Sequence, residues 1–439
     1  MTKYFGTDGI RGEYQNSVVR EDFFEKLSTA VYTYLKNSLK IEKPVIVIGG
    51  DTRFSRESLT DAFCKNLGNS IVYDLKTAPT PAIAFAVKHF NADLGVVITA
   101  SHNPFTDNGI KFFDKNAFKI SDSAQEKIEE FIDSNLPETS FSGELSAPNI
   151  LEKYIEKMCS LLPANALANM DISLDCANGA TYLTSPKVLE KLGAKVNCIG
   201  VSPDGKNIND KVGSECPENL SKFCLENSSD IAIAHDGDGD RLLICDSTGT
   251  PFAGEEILGL IAMSDSSSKN LGIVTTIQSN TGLDASLAKH FIKVFRCGVG
   301  DRLVSQSMQE NKCIIGGENS GHYIFSDISP CGDGLAGAIK FLSFYIKNKD
   351  SLSDLRKHIK LFPTLSKAIK IKNKIPIEGT KNLSKAILEC EKNLVGKGRT
   401  LVRYSGTENK IRLLVEAQDS ESTAKYMNIL EQAVENDLQ

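Results

Sequence analysis

The chain has 439 residues, and at about 150 residues per domain this length predicts three or so domains. Lys and Arg total 50 against 56 Asp and Glu, a net charge of −6; a general nucleic-acid binder presents a basic domain instead. Hydrophobic residues make up 41% and charged residues 24%, which is ordinary for a globular chain and excludes disorder over its length.

No apolar run approaches the about 18 residues of a membrane span. The opening MTKYFGTDGIRG lacks a basic stretch followed by an apolar segment, so no signal peptide is expected. Eleven cysteines are scattered singly, without CxxC pairs or Cys/His zinc spacing. Several, such as Cys245 and Cys313, sit in apolar strand-like text, which predicts buried reduced thiols in a cytoplasmic protein.

In chain order, helix is expected over 21–36, strands over 43–51 and 92–100, and helix over 124–135. Strand 171–176, helix 185–192, and strands 230–235, 270–277 and 312–317 follow. Nearly continuous Val/Ile runs indicate strands covered on both faces, and their alternation with helices predicts mainly parallel α/β sheets. From residue 367 the text changes to strand, a helix near 381–393, strand 399–404, a short turn, strand 410–418 and a final helix. That pattern predicts a smaller α+β unit with antiparallel pairing. Linker-like text at 141–149, 245–254 and 361–367 divides the chain into 1–147, 148–247, 248–363 and 364–439, so four units fit better than three. IGGDTR, LDCANGA and IGGENSG each follow an apolar strand, placing Gly-containing loops at strand C-terminal ends, where open α/β sheets bind ligands.

Five stretches read as loops carry candidate chemistry. In TASHNPFTDNGIKFF, 99–113, Ser101 directly follows a buried strand and projects toward a crevice; an ordinary turn at Ser-His-Asn-Pro is the alternative. His102 is an awkward base for Ser101, because adjacent side chains usually diverge, and no GxSxG elbow is present. Lys111 reads as a surface lysine or as a cation beside a phosphate. HDGDGDR, 235–241, is more specific: Asp236, Asp238 and Asp240 alternate and point the same way in extended backbone. Three converging carboxylates call for a divalent cation, and all-oxygen ligation favours Mg²⁺ or Ca²⁺. An EF-hand starting at Asp236 fails, with Arg241 where Gly belongs and Ser247 where Glu belongs; a solvated Asp-Gly turn is the plainer alternative.

Arg241 suits a phosphate contact or an ion pair with a neighbouring Asp, and a phosphorylated Ser101 facing the three Asp residues would supply a further anionic metal ligand. In GGENSGHYIF, 316–325, Glu318, Ser320 and His322 offer the mixed donors and acceptors that suit sugar hydroxyls. In RYSGTENKIR, 403–412, Arg403, Ser405, Gly406, Thr407 and Arg412 form a donor set suited to phosphate, or else a plain hairpin. In YFGTDGIRG, 4–12, Arg11 stands between glycines, as close approach of a ligand or a tight turn both require.

FGTDGIRG, TASHNPFTDNGIK, DGDGDR, GENSGH and RYSGTE stand in the order and spacing of the α-D-phosphohexomutase superfamily, which the chain resembles over essentially its whole length. PDGKNIND (203–210), GVGDRLV (298–304) and CGDGL (331–335) resemble the branch acting on glucosamine phosphates. The resemblance implies a four-domain, heart-shaped architecture, with three related mixed α/β domains and a smaller α+β C-terminal domain. It implies a phosphoserine at Ser101, Mg²⁺ held by Ser101, Asp236, Asp238 and Asp240, and catalytic roles among Lys111, His322, Arg11 and His102, with Lys111 and His322 the candidates for acid and base in either order.

Substrate binding falls to Arg241, Glu318, Asn319 and Ser320, and to Arg403, Ser405, Gly406, Thr407 and Arg412 around the non-reacting phosphate. The implied activity interconverts glucosamine 6-phosphate and 1-phosphate, feeding N-acetylglucosamine activation in a bacterial cytoplasm. The implied partner is the sugar phosphate alone, with no nucleic acid or membrane, in a monomer or homodimer. Two positions depart from the pattern: Asn319 stands where Gln is usual, and Tyr404 where Pro is usual. A phosphomannomutase or phosphoglucomutase is the alternative within the superfamily; a Mg²⁺-dependent phosphomonoesterase and an inactive sensor are the alternatives outside it.

Overall fold

The computed structural model describes residues 3–439 other than 7, 135, 138, 349 and 406–408. Every apolar run expected as a strand forms one. The first sheet comprises β1 (Ile10–Glu13), β2 (Val45–Gly50), β3 (Ile71–Thr77), β4 (Leu94–Ile98), β5 (Asp107–Asp114) and β6 (Glu144–Ser146), in the order β1-β5-β4-β2-β3-β6. Strands β4, β2, β3 and β6 are parallel, while β5 is antiparallel to both β4 and β1. The alternation of side chains in β2 explains its unbroken apolar text. Ile46 and Ile48 pack beneath the helices Glu21–Thr33, Arg56–Cys64 and Asp122–Asp133, whereas Val47 packs under the helix Thr80–Phe90 on the other face.

The second sheet holds β7 (Asp171–Asp175), β8 (Lys195–Ile199), β9 (Ile231–Ala234) and β10 (Leu243–Asp246), ordered β10-β9-β7-β8, with β10 antiparallel. The third contains β11 (Ile273–Thr276), β12 (Val294–Cys297), β13 (Ile315–Gly317), β14 (Tyr323–Phe325) and β15 (Ser329–Gly332), ordered β12-β11-β13-β14-β15. Its first three strands are parallel and its last two antiparallel. One apolar core runs through both units, joining Leu174 and Ile233 to Ile257, Ile315 and Phe341. The last sheet is antiparallel, with β16 (Thr364–Lys370), β17 (Gly398–Tyr404) and β18 (Lys410–Ala417) ordered β16-β18-β17 and covered by the helices Leu383–Leu394 and Ser420–Leu438.

Three expectations shift. The linker-like 141–149 contains β6, which pairs with β3 at the sheet edge, and 361–367 already begins β16. The second half of the Ser101 segment, expected as loop, is β5. All eleven cysteines are free thiols, and among the described residues no helix is long and apolar enough to cross a membrane. IGGDTR, LDCANGA and IGGENSG do leave the C-terminal ends of the parallel strands β2, β7 and β13, as expected.

Candidate functional site

Ser101 lies three residues beyond β4, buried, with φ at +53°, the left-handed region that costs a non-glycine residue energy. Thr99 Oγ1 accepts from its backbone N–H at 2.8 Å and donates to the buried Asp51 carboxylate at 2.6 Å. Ser101 Oγ donates to Asp236 Oδ2 at 2.6 Å and lies 3.3 Å from His102 Nδ1. The expected divergence of adjacent side chains fails here, because the left-handed turn at Ser101 brings the imidazole round. Burial, and then the neighbouring Arg241, push the His102 imidazole below its usual range.

Asp236, Asp238 and Asp240 occupy the hairpin between β9 and β10. All three are buried, and each offers an oxygen within 4.8 Å of the others. Gly239, at φ +77°, lets the loop curl inward, and Ala180 of LDCANGA donates its N–H to the Gly237 carbonyl at 2.8 Å. From the first unit, Thr80 holds Asp238 twice, N–H to carbonyl at 2.8 Å and hydroxyl to Oδ2 at 2.7 Å. Burial, and then the charges of Asp238 and Asp240, raise the Asp236 carboxyl to about 7. The buried Asp238 Oδ1 has no hydrogen-bond partner among the described residues. A buried, oxygen-only cluster with an orphaned lone pair fits a hard divalent cation.

Lys111 projects from β5 into the same cluster, with Nζ 2.9 Å from Asp238 Oδ2, 3.4 Å from Asp240 Oδ2 and 3.0 Å from Asp8 Oδ2. Burial alone would lower its pKa, but Asp238, Asp8 and Asp240 outweigh it and hold the ammonium well above its usual range. In this setting Lys111 faces the carboxylates as an ammonium. His322 Nε2 lies 2.9 Å from Asp240 Oδ1 and its Nδ1 3.3 Å from Ser320 Oγ. Burial opposes its charge, yet Asp240 raises the imidazole to about 9. Arg11 pairs with Asp8, and Arg241 pairs with Glu215 with its Nε 4.0 Å from Asp236 Oδ2.

The GENSGH candidates meet the Asp loop through the backbone, since Arg241 and His322 form an isolated antiparallel bridge. Glu318 Oε1 accepts from Gly300 N–H of GVGDRLV at 2.9 Å, while Asn319 and Ser320 are exposed. In the last unit Arg403 and Arg412 stand directly opposite each other on β17 and β18, exposed, and neither forms an ion pair among the described residues. Like charges so placed repel, an arrangement an anion relieves. Ser405 is buried and bonded to Lys410; Gly406 and Thr407 lie outside the described residues. The structure thus brings Ser101, His102, Arg11, Lys111, the three Asp residues, Arg241 and His322 together, and leaves the last unit's candidates on their own sheet. Sequence reasoning missed Asp8, Thr80, Asp51, Arg53 and Asn209. Asp8 was within reach, two residues upstream of β1 in the same motif as Arg11.

Family models match four consecutive segments. They are described as phosphoglucomutase/phosphomannomutase alpha/beta/alpha domain I over residues 2–138, domain II over 152–249, domain III over 253–362, and the C-terminal domain over 353–433. The phosphoglucosamine mutase of Coxiella burnetii is 39% identical over 442 residues, covering 99% of this chain and 98% of its own. That of Histophilus somni is 41% identical over 429 residues, covering 95% and 96%. Among solved structures, a phosphoglucomutase/phosphomannomutase family protein from Burkholderia thailandensis superposes with a TM-score of 0.81 at 21% identity, covering 99% of this chain and 98% of its own. The N-acetylphosphoglucosamine mutase of Aspergillus fumigatus, solved with GlcNAc-6P and magnesium, gives 0.64 at 14% identity, covering 99% and 96%. These two likenesses concern the fold.

Proposed function

Since the chain belongs to the phosphoglucosamine mutase family of phosphohexomutases, we propose that it interconverts glucosamine 6-phosphate and glucosamine 1-phosphate through a phosphorylated Ser101. Phospho-Ser101 gives its phosphoryl group to O1 of glucosamine 6-phosphate, breaking the Oγ–P bond and forming a 1,6-bisphosphate. The bisphosphate turns round in the cleft, and Ser101 Oγ takes the phosphoryl group from O6, which leaves glucosamine 1-phosphate and restores the charged enzyme. The observation that carries this reading is the approach of Ser101 Oγ to the buried carboxylate cluster, 2.6 Å from Asp236.

Asp236, Asp238 and Asp240, with the Ser101 phosphate, would hold Mg²⁺. When bound, this ion neutralises charge on the moving phosphoryl group. Lys111 adds a fixed positive charge from the opposite wall, 2.9 Å from Asp238. His102 Nδ1 lies 3.3 Å from Ser101 Oγ, where it can deliver or receive the proton that the serine oxygen exchanges. His322, on the sugar loop, is the candidate to take the proton from the O1 hydroxyl as it accepts the phosphoryl group and to give it to O6 as that oxygen leaves. Glu318, Asn319 and Ser320 contact the sugar, and Arg403, Ser405, Gly406, Thr407 and Arg412 grip whichever phosphate is not reacting, so one cradle serves both halves of the reaction.

Ser101→Ala tests the core of the reading. Turnover is lost and intact mass shows no adduct of about 80 Da, while sugar-phosphate binding persists. Near-normal turnover by this variant overturns the phosphoserine route. Assays on glucosamine, mannose and glucose 6-phosphates test the substrate, and a strong preference for mannose overturns the amino-sugar assignment.

A further inference from the structure

The segment PDGKNIND, 203–210, has no part in the chemistry above, yet it leaves the second unit and lies on the first. Gly205 accepts from Phe54 N–H at 2.9 Å, and Asn209 N–H donates to the Ala177 carbonyl at 2.9 Å. The side-chain amide of Asn209 then donates to the carbonyls of Ser101 and Asn103, at 2.9 and 3.0 Å. Both facing groups are acceptors, so only the NH₂ end of the amide fits there.

The same two carbonyls are held from the other side. Arg53, fully buried, donates from one terminal nitrogen to Ser101 at 2.9 Å and Asn103 at 2.8 Å. Its other terminal nitrogen donates to the carbonyls of Asp107, at 2.9 Å, and Pro104, and its Nε to Asp51 at 3.0 Å. All five guanidinium donors are engaged, four of them on backbone between residues 101 and 107. Gly237 of the metal loop closes the third side: a Cβ there would lie 2.7 Å from the Ser101 carbonyl oxygen and 2.9 Å from Asn209 Nδ2. The left-handed Ser101 is therefore gripped at its own carbonyl from three sides, by the Arg53 guanidinium, the Asn209 amide and the close approach of Gly237, three loops of two units.

We propose that Asn209 is a positioning residue for phosphoryl transfer: with Arg53 it clamps the Ser101 loop and makes the serine's orientation depend on the seating of the second unit. The inference rests on Ser101 being the phosphoryl carrier. Without the Asn209 amide the two carbonyls keep, among the described residues, only Arg53, and Ser101 is freer to relax toward the negative φ that serine prefers, carrying Oγ away from Asp236.

Asn209 is only partly buried and adopts φ +59°, so two variants separate its amide from its backbone. Asn209→Gly keeps the left-handed turn without the donor, and Asn209→Asp keeps the shape but presents a carboxylate to the carbonyls. The full-length enzyme is assayed with Mg²⁺ and glucosamine 6-phosphate. The expected result in both is a kcat lower by about ten- to a hundredfold, with KM within about twofold and the thermal midpoint essentially unchanged. A kcat near the parent's in either variant overturns the proposal. So does a loss of kcat matched by a rise in KM or a marked fall in midpoint, which assigns Asn209 to holding the units together. Ser101→Ala assayed alongside separates the failures: if it is active, the carrier assignment falls; if it is dead while Asn209→Gly is fully active, only the clamp falls.

Discussion

Lys111 brings its ammonium to within 3.4 Å of two carboxylates of the Asp236, Asp238 and Asp240 cluster and 3.0 Å of Asp8. Removing a cation from buried carboxylates leaves them uncompensated, at a cost of about 3–5 kcal/mol. Lys111→Met should therefore lower the thermal midpoint of the metal-free protein by several degrees, and added Mg²⁺ should restore most of it while turnover stays lost. Calorimetry with and without the ion checks this, and an unchanged metal-free midpoint refutes it. The alternating Asp residues were legible because three carboxylates in seven residues carry a charge problem in the text itself. Arg53 and Asn209 were not, because they act on carbonyls, which every residue has. The His102 approach was hidden for a related reason: it depends on a positive φ at a serine, and no glycine stands there to signal it.

The helix Gly334–Lys347 begins on Asp333, whose carboxylate accepts from Ala336 N–H at 2.9 Å and from the Tyr154 hydroxyl of the helix Leu151–Cys159. Burial pushes this carboxyl from 3.8 up to about 6. An acid whose pKa is raised by folding favours the folded state while it is protonated. Stability from this group is therefore lost as pH rises from about 4 through about 6, by roughly 3 kcal/mol at most. Asp333→Asn cannot ionise, so its midpoint relative to the parent should rise across that window, as melts at pH 4, 5, 6 and 7 will show; a pH-independent difference contradicts it. Elements with long apolar text, such as β2 and β4, were readable from the sequence. Strand β5 was not, because its opening Asp-Asn-Gly reads as a turn, and β6 was not, because an exposed edge strand has no buried face to impose a pattern.

At the scale of the molecule, the units differ in how they are joined. Arg356 knots the second to the third, bonding Asp246, Glu256 and two backbone carbonyls and lying 3.9 Å over the Phe252 ring. The last unit is seated on the third through Arg399, which donates to the carbonyls of Ile277 and Ser279 and pairs with Glu416, itself bonded to Thr281. Arg399→Ala removes about 2 kcal/mol from that junction. Limited proteolysis near residue 363 should then quicken by about tenfold or more, with KM rising more than kcat falls, as one expects if the cradle must swing over the cleft. Unchanged cleavage argues against a junction of this kind. Four units were legible from text composition, but their joints were not, since Arg356 and Arg399 look like any surface arginine.

The groups gathered round Ser101 come from as early as Asp8 and as late as His322. Domains emerging from the ribosome fold as units, N-terminal first. The first unit can thus shape its serine while the carboxylates, the Asn209 amide and the sugar loop are still unmade. On the function proposed above, a chain stalled before its third unit carries Ser101 and the three carboxylates but neither His322 and the sugar loop nor the phosphate cradle, so unfinished products of translation would be inert toward the cell's sugar phosphates.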